Sequence, residues 1–479
     1  MKKVTMMILI GASVLGIFSS LAIAAELPAN LTKILKQNAA FDLEYYPVGF
    51  WNYATLENHG QLLDENAVEE WSKAGFNVTQ GPEFDASDPE QLKHMYKILE
   101  WADQRGMRLI MRDRRVQPWL SRRDKSFAQN PEWEKNFEKN IASMINDFKG
   151  RPGIFGFHIV DEPDGEEMFD GYYKAYSMFK KAAPQWHPTL NYYPGWPDYL
   201  DNVIDKYSDI ESLCFDNYSQ MKKGKDGVNY HLYMLRFFRE KSWKHEIPFQ
   251  VTLICVGHYD YMSPTYDTLR WQFNTAVCSG ASAIHWYKYY LQQPISNYRS
   301  APFDITWQKT QTYDDLRLLH TPFHRFYGDL FNRLVSTGTS FYPDSPDPYI
   351  NSRGEIQSPG PGWKPNELIS KISTQTANHP LMIGEFADIQ GRRYVMVVNN
   401  SMTDSVKVSL TFPGEDVKTY SADWWDGQEK EGIAYTALGV GGQNRTKDGF
   451  KVWHWLAPGQ ETVYRIDSKL IRNSKIQLK

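Results

Sequence analysis

Apolar positions along the chain follow two alternating rhythms. Short apolar runs occur at Val48-Gly49-Phe50-Trp51, Phe76-Asn77-Val78-Thr79, Met107 to Met111, Ile154 to Val160, Thr189 to Tyr192, Ser212 to Phe215, Phe249 to Val256 and Ser282 to Trp286. Runs of this length read as buried strands. Between them lie longer amphipathic stretches. Leu92, Met95, Tyr96, Leu99 and Ala102 recur at helical spacing, after the capping pattern Ser87-Asp88-Pro89-Glu90 and before Gly106. Trp133, Phe137, Ile141, Met144, Ile145 and Phe148 form a second stripe, stopped by Gly150. Strand, helix, strand at this rhythm predicts parallel βαβ units. Eight units over roughly 250 residues match a (β/α)8 TIM barrel, placed at residues 26–332. An open doubly wound sheet is the competitor, and the first run is followed by no Gly-rich phosphate loop to support it.

The rhythm changes after Asn332. Residues 333–366 read as a linker or long loop, because Pro343 to Pro365 is rich in Pro, Gly, Ser and Asp. Short alternating runs follow at Leu368 to Ser373, Leu381 to Phe386, Tyr394 to Asn399, Val406 to Phe412, Val452 to Leu456 and Thr462 to Ile466. They predict a small antiparallel β-sandwich over residues 367–479. At the other end, Met1-Lys2-Lys3 precedes an apolar run that closes on Ala22-Ile23-Ala24. This is the pattern of a signal peptide over residues 1–25, and predicts export to the periplasm or the extracellular space. An N-terminal membrane anchor is the alternative; no later run is long enough to span.

Composition narrows the function. Lys and Arg number 53 against 57 Asp and Glu, a net charge of −4 that argues against a nucleic-acid partner. The three cysteines, Cys214, Cys255 and Cys278, lie in apolar segments and read as buried hydrophobes. No metal-ligand spacing occurs and no cofactor is implied. Aromatic residues make up 15% of the chain, enough to line a sugar cleft as well as a core.

In such a barrel the active site forms where strands end. The polar or aromatic residues there are Trp51 with Asn52, Glu83, Arg112 with Asp113, Asp161 with Glu162, Tyr192 with Tyr193, Asp216 with Tyr218, His258 with Asp260, and Trp286 with Tyr287 and Lys288. Carboxylates and cations bind hydroxyls, and rings stack on pyranose faces. The set fits a neutral polyhydroxy ligand, with Trp51, Glu83, Arg112, Tyr192, Tyr218, His258, Trp286 and Lys288 as candidate binding residues. Several have plainer roles open to them. Arg112 can pair with Glu83 or Asp161, Asp216 can cap the segment after it, and His258 can be a structural hydrogen-bonder. Arg115 and Lys288 can mark an acidic glycan or be simply solvated. His158 and His285 are expected to alternate away from the cleft, and Glu166 and Glu167 to form an exposed helix face.

Asp161-Glu162-Pro163 is the sharpest feature. A glycosidase needs a carboxylic acid whose pKa is raised by burial or a negative neighbour, so that it can protonate a leaving oxygen. An adjacent carboxylate supplies such a neighbour, although successive strand side chains point to opposite faces. The plain alternative is a helix start with Asp161 as N-cap.

Phe157 to Pro163 resembles the end of the fourth strand in clan-A-like (β/α)8 glycoside hydrolases, whose acid/base Glu sits there, commonly within Asn-Glu-Pro; Asp161 stands in the Asn position. The tail, with Leu456-Ala457-Pro458-Gly459-Gln460 as a late turn, is similar to the accessory sandwich behind such barrels. The resemblance implies a secreted glycosidase with Glu162 as acid/base. It also departs from the pattern: Phe249 to His258 contains no Glu where the family places its nucleophile, and Glu246 precedes that strand. Three readings stay open. An inverting enzyme would pair Glu162 with Asp216, Asp260 or Glu83 as base, Asp216 being the first choice. A substrate-assisted N-acetylhexosaminidase would use Asp161 to orient a 2-acetamido group. A non-catalytic carbohydrate-binding protein would keep the scaffold alone.

Overall fold

The computed structural model describes residues 26–117, 131–163, 166–192, 199–291, 297–423, 426–432 and 441–479. The expected signal peptide, Tyr193, and the side chains of Glu166 and Glu167 lie outside the described residues.

Eight parallel strands form the N-terminal unit: β1 (Val48–Phe50), β2 (Val78–Phe84), β3 (Arg108–Asp113), β4 (Ile154–Asp161), β5 (His187–Asn191), β6 (Leu213–Asp216), β7 (Phe249–Ile254) and β8 (Ile284–Tyr287). They pair in the orders β1-β8-β7-β6 and β2-β3-β4-β5. Two seams close the ring. Asn77 N–H donates to the Val48 carbonyl at 3.0 Å and Thr55 bridges Glu83, joining β1 to β2. Tyr192 N–H donates to the Cys214 carbonyl at 2.6 Å and Tyr192 bridges Phe215, joining β5 to β6. At the first seam Gly49 is required, since a Cβ there would sit 2.0 Å from the Val78 carbonyl oxygen.

The helices follow the predicted stripes. Pro89–Asp103 is capped by the Asp88 carboxylate, which accepts from the N–H groups of Glu90 and Gln91, and it buries Met95, Ile98, Leu99 and Ala102. Trp133–Phe148 buries Phe137, Ile141, Met144 and Phe148. The three cysteines are free and buried, and burial raises each thiol pKa.

Two antiparallel sheets form the C-terminal unit. One has four strands, from Lys371–Thr374, Val406–Phe412, Gly449–Leu456 and Gly441–Thr446. The other has six, ordered Glu429–Glu431, Lys418–Ala422, Glu461–Asp467, Arg393–Asn399, Leu381–Ala387 and Val335–Tyr342. Ile383, Val395 and Val397 of the larger sheet meet Val408, Leu410 and Val452 of the smaller in one core.

The segment expected as linker, 333–366, is therefore only partly one. Val335–Tyr342 pairs along its length with Leu381–Ala387. Its Ser and Thr hydroxyls make it read as a loop, but Ser336, Thr337 and Thr339 are buried in the sheet. The rest, 343–365, carries a short hairpin of Tyr349–Ile350 and Ile356–Gln357.

The two units are fastened together. The Pro458-Gly459 turn lies on the barrel helix Tyr266–Cys278: Arg270 Nε donates to the Pro458 carbonyl at 2.7 Å and Asn274 Nδ2 to that of Gly459 at 2.9 Å. Gly459 has φ +65°, and a Cβ there would fall 2.5 Å from the Trp271 backbone nitrogen. Among the described residues no helix is long and apolar enough to cross a membrane.

Candidate active site

A cleft of about 510 Å³ opens at the carboxyl ends of the strands. Its carboxylates are Asp161, Glu162 and Asp216, with Asn191 and Asn217 beside them. Its walls are aromatic: Trp51, Tyr53, Tyr218, Tyr230, Tyr259, Tyr261 and Tyr287. A larger hollow of about 750 Å³ includes Asp42, Arg105 and Arg108 near the strand starts. There Arg108 already pairs with Asp42 and Arg105 with Glu65, which leaves ion pairs rather than converging acids.

Asp161 is the last residue of β4, and the next helix begins at Glu166, so Asp161 does not cap it. Its carboxylate accepts from Asn191 Nδ2 at 3.3 Å. Glu162 leaves the extended conformation with φ +40°, a left-handed backbone unusual for a residue with a Cβ. Its N–H donates to the Asn191 carbonyl at 3.0 Å, which holds the turn. The turn ends the strand alternation, and both adjacent carboxylates line one cleft.

Asp216, the last residue of β6, is hydrogen-bonded to Glu162. Burial first, then the charge of Glu162, that hydrogen bond and the charge of Asp161, push its carboxyl well above the ordinary range. One Asp216 oxygen makes no hydrogen bond within the protein, and neither do Asn191 Oδ1 and Asn217 Nδ2. Three buried polar atoms thus bear on the same cleft without a protein partner, where a polar ligand can meet them. Capping of the next segment falls instead to Asn217, whose side-chain oxygen accepts from Ser219 N–H at 3.0 Å.

The other possible bases are committed or displaced. Glu83 accepts from Arg112 Nη2 at 3.2 Å and Arg114 Nε at 2.9 Å. Asp260 is exposed and pairs with Lys222 at 3.2 Å. Glu246 caps the helix Lys225–His245 and pairs with Lys33.

Of the expected binding residues, Trp51, Tyr218 and His258 line the cleft. Trp51 donates its indole N–H across the barrel to Thr252 Oγ1 at 3.1 Å. Tyr218 stacks on Tyr287 with centroids 5.2 Å apart, and His258 stacks on Tyr298 at 4.0 Å. Arg112 and Lys288 stand behind the wall, over the Tyr53 ring at 5.4 and 5.5 Å. Burial lowers the Lys288 pKa to about 8.

Trp286 and Tyr192 lie elsewhere. Trp286 is fully buried, and its indole donates to His320 Nε2 at 2.9 Å on the helix Gln311–Phe323. Tyr192 is fully buried with its ring 6.2 Å from Phe238 of the helix Lys225–His245. Strand β8 runs one residue beyond the predicted end and β5 stops one short, so the cleft residues are Tyr287 and Asn191 instead. Tyr53 was also outside the expected set; its position two residues beyond Trp51, on the same side of an extended chain, is the signal that points to it. His158 and His285 do not line the cleft. They are bonded to Thr189 at 3.3 Å and Gln250 at 3.1 Å, and burial lowers their pKa values to about 3 and about 4, so both are neutral.

No protein-family model and no curated protein matches the chain. Solved structures do. A family 39 glycoside hydrolase from the gut symbiont Bacteroides cellulosilyticus superposes with TM-score 0.51 at 11% identity, over 88% of this chain and 81% of that one. A β-galactosidase from Marinomonas superposes at 0.46 and 10% identity, over 58% of this chain and 59% of its own length. A family 5 mannosidase from Rhizomucor miehei gives 0.41 at 12% identity, over 58% and 93%. The match thus spans about three-fifths of the β-galactosidase chain. At these identities the likeness is one of fold: the chain is a (β/α)8 barrel followed by an antiparallel sandwich, and the family 39 structure matches it over most of both lengths.

Proposed function

We propose that the protein is an exported glycoside hydrolase that cleaves O-glycosidic bonds of a poly- or oligosaccharide, with Glu162 as general acid. The observation that carries this reading is the hydrogen-bonded Glu162–Asp216 pair, set with Asp161 in an aromatic-walled cleft. Two carboxyls in contact do not both ionise readily, so the pair keeps a proton where separate carboxyls would lose theirs. That proton is the one a leaving glycosidic oxygen needs. Rings on the walls supply the apolar faces on which pyranoses stack. Likeness to glycoside hydrolase structures agrees with the reading at the level of fold.

Asp216 serves this reading as the proton partner of Glu162. A water-activating pair stands roughly 6.5–9.5 Å apart to admit the water, and a direct hydrogen bond is shorter than that gap. Asp216 as inverting base is therefore the weaker role, and Glu83 and Asp260 are held by cations.

A second reading follows from the same census. Asp161 is the third carboxylate lining the cleft, adjacent in the chain to Glu162. In substrate assistance it would orient a 2-acetamido group. The acetamido oxygen bonds to the anomeric carbon as the bond to the leaving oxygen breaks, and Glu162 gives its proton to that oxygen. Water then opens the cyclic intermediate, returning a proton to Glu162.

The test is a broad glycan panel incubated with the mature protein and with Glu162→Gln, followed by NMR of new anomeric signals. Release by wild type and not by the variant supports the reading, and retention confined to N-acetyl sugars supports substrate assistance. Sugar binding without release from any glycan supports a binding protein instead. N-terminal sequencing of the secreted protein tests export.

A further inference from the structure

A hairpin from the segment that follows the barrel packs beside the cleft. Tyr230, on the helix Lys225–His245, lines the cleft. Its ring centroid is 4.6 Å from that of Tyr349, and Tyr349 also stacks on Tyr233 at 6.5 Å. Tyr349 belongs to the hairpin in the 343–365 segment. The hairpin is a built structure. Asn351 Oδ1 accepts from the N–H groups of Arg353 at 3.0 Å and Glu355 at 2.9 Å, and Gly354 takes φ +78° to close the turn. Arg236, on the same barrel helix as Tyr230, donates to the Ser358 carbonyl at 3.3 Å and ties the hairpin down. Beyond Tyr349 the cross-strand pair Ile350 and Ile356 is 62% and 73% exposed. The next most exposed large hydrophobic residue among those described is Tyr259, at 60%, and it lies on the cleft wall.

We propose that the Tyr349 hairpin is part of the substrate site: the Tyr230–Tyr349 ring pair, with Ile350 and Ile356 beyond it, binds sugar units outside the one whose bond is cleaved. This rests on the glycoside hydrolase reading of a poly- or oligosaccharide substrate and adds to it the place where sugar units beyond the cleaved bond are held. The physical argument is one of position and surface. Tyr230 belongs to both the cleft and the hairpin contact, so the hairpin adjoins the cleft that holds Glu162 and Asp216. The exposed aliphatic pair and the rings present apolar surface to the C–H faces of a sugar chain. A loop that only joined the two units would have no need of a capped turn, a tether to the barrel helix and an apolar tip.

The test uses 4-nitrophenyl glycosides carrying one, two, three and four units of the sugar that wild type releases. KM and kcat are measured for wild type, Tyr349→Ala, Tyr349→Phe and the double variant Ile350→Ser/Ile356→Ser. The expected result is a KM about tenfold higher for Tyr349→Ala on the three- and four-unit substrates, a loss of the size an aromatic contact supplies. Values on the one-unit glycoside should be unchanged, and Tyr349→Phe should match wild type. The isoleucine variant, whose side chains are exposed and support no core, should raise KM on the longest substrate. An equal change at every length, or none at any length, overturns the proposal while leaving the glycosidase reading intact. A wild type that releases no sugar from any glycan overturns both.

Discussion

Asp216 and Glu162 reach the same point from two strands that are not neighbours, β6 and β4, and meet there in a hydrogen bond. Neither is identified as a partner of the other by sequence spacing, since 54 positions separate them; only barrel closure brings the two strand ends together. The contact lets the pair retain a proton between them, and it sets the first two predictions.

Glu162→Gln keeps the size of the side chain and a hydrogen-bonding group for Asp216, but has no proton to give. Activity is expected to fall by about 10²–10⁴-fold, the range general acid catalysis supplies, with the circular dichroism spectrum unchanged. Retained activity in purified variant protein would refute the acid assignment.

Asp216→Asn should separate stability from activity. A carboxyl whose folded pKa is raised binds more protons folded than unfolded. Its contribution to stability is complete below the ordinary carboxylate value, 3.8, and is lost as pH rises through the raised folded value. Asn does not titrate. The stability difference, variant minus wild type, should therefore grow in the variant's favour as pH increases above about 4, while kcat falls. Denaturant melts at several pH values measure the slope; a flat difference would show that Asp216 is not held protonated.

Lys288 gives a slope on the alkaline side. Burial holds its folded pKa at about 8, below the ordinary lysine value of 10.5, so the folded state is penalised while the ammonium is charged. That penalty is present in full below about 8 and is relieved as pH rises to 10.5. Lys288→Met should be more stable than wild type near pH 7, and the advantage should shrink toward pH 10. A constant advantage across that window would mean that burial does not perturb the amine.

Trp286, inside β8, and Trp51, just past the neighbouring β1, should behave differently. Trp286→Phe removes the hydrogen bond to His320 and some buried volume, for a cost of about 1–3 kcal/mol in stability with KM unchanged. Trp51→Phe removes the hydrogen bond to Thr252 under the cleft and should raise KM. Equal effects of both on KM would contradict the placement of Trp286 outside the cleft.

The strands were legible because each is a short apolar run between turn signals: seven of the eight begin and end within two residues of the predicted runs, while β2 continues five residues past its run, to Phe84. Asp161-Glu162-Pro163 was legible for the same reason, as polar residues placed directly after such a run. Errors came from parity. A one-residue difference at the end of β8 moves the cleft side chain from Trp286 to Tyr287, and at the end of β5 from Tyr192 to Asn191, because side chains alternate with period two. Val335–Tyr342 was missed because its hydroxyls look solvated, whereas its partner strand supplies the reason for it to be extended. The approach of Asp216 to Glu162, the pairing of Glu83 with two arginines and the reach of Tyr349 to the barrel are long-range facts that no local pattern encodes.

The turn at Gly459 bears on how the molecule comes apart. Trp271 and Asn274 are buried where the sandwich meets the helix Tyr266–Cys278, and Trp271 Nε1 also donates to Asn400 Oδ1 at 2.9 Å. A barrel cut free near residue 333 would leave that helix with bare indole and amide groups and an apolar flank in water. The expected consequence is a single calorimetric transition for the whole chain, with calorimetric and van't Hoff enthalpies in agreement, rather than two separate melts. Any bulkier residue in place of Gly459 should split that endotherm before it disturbs the chemistry in the cleft.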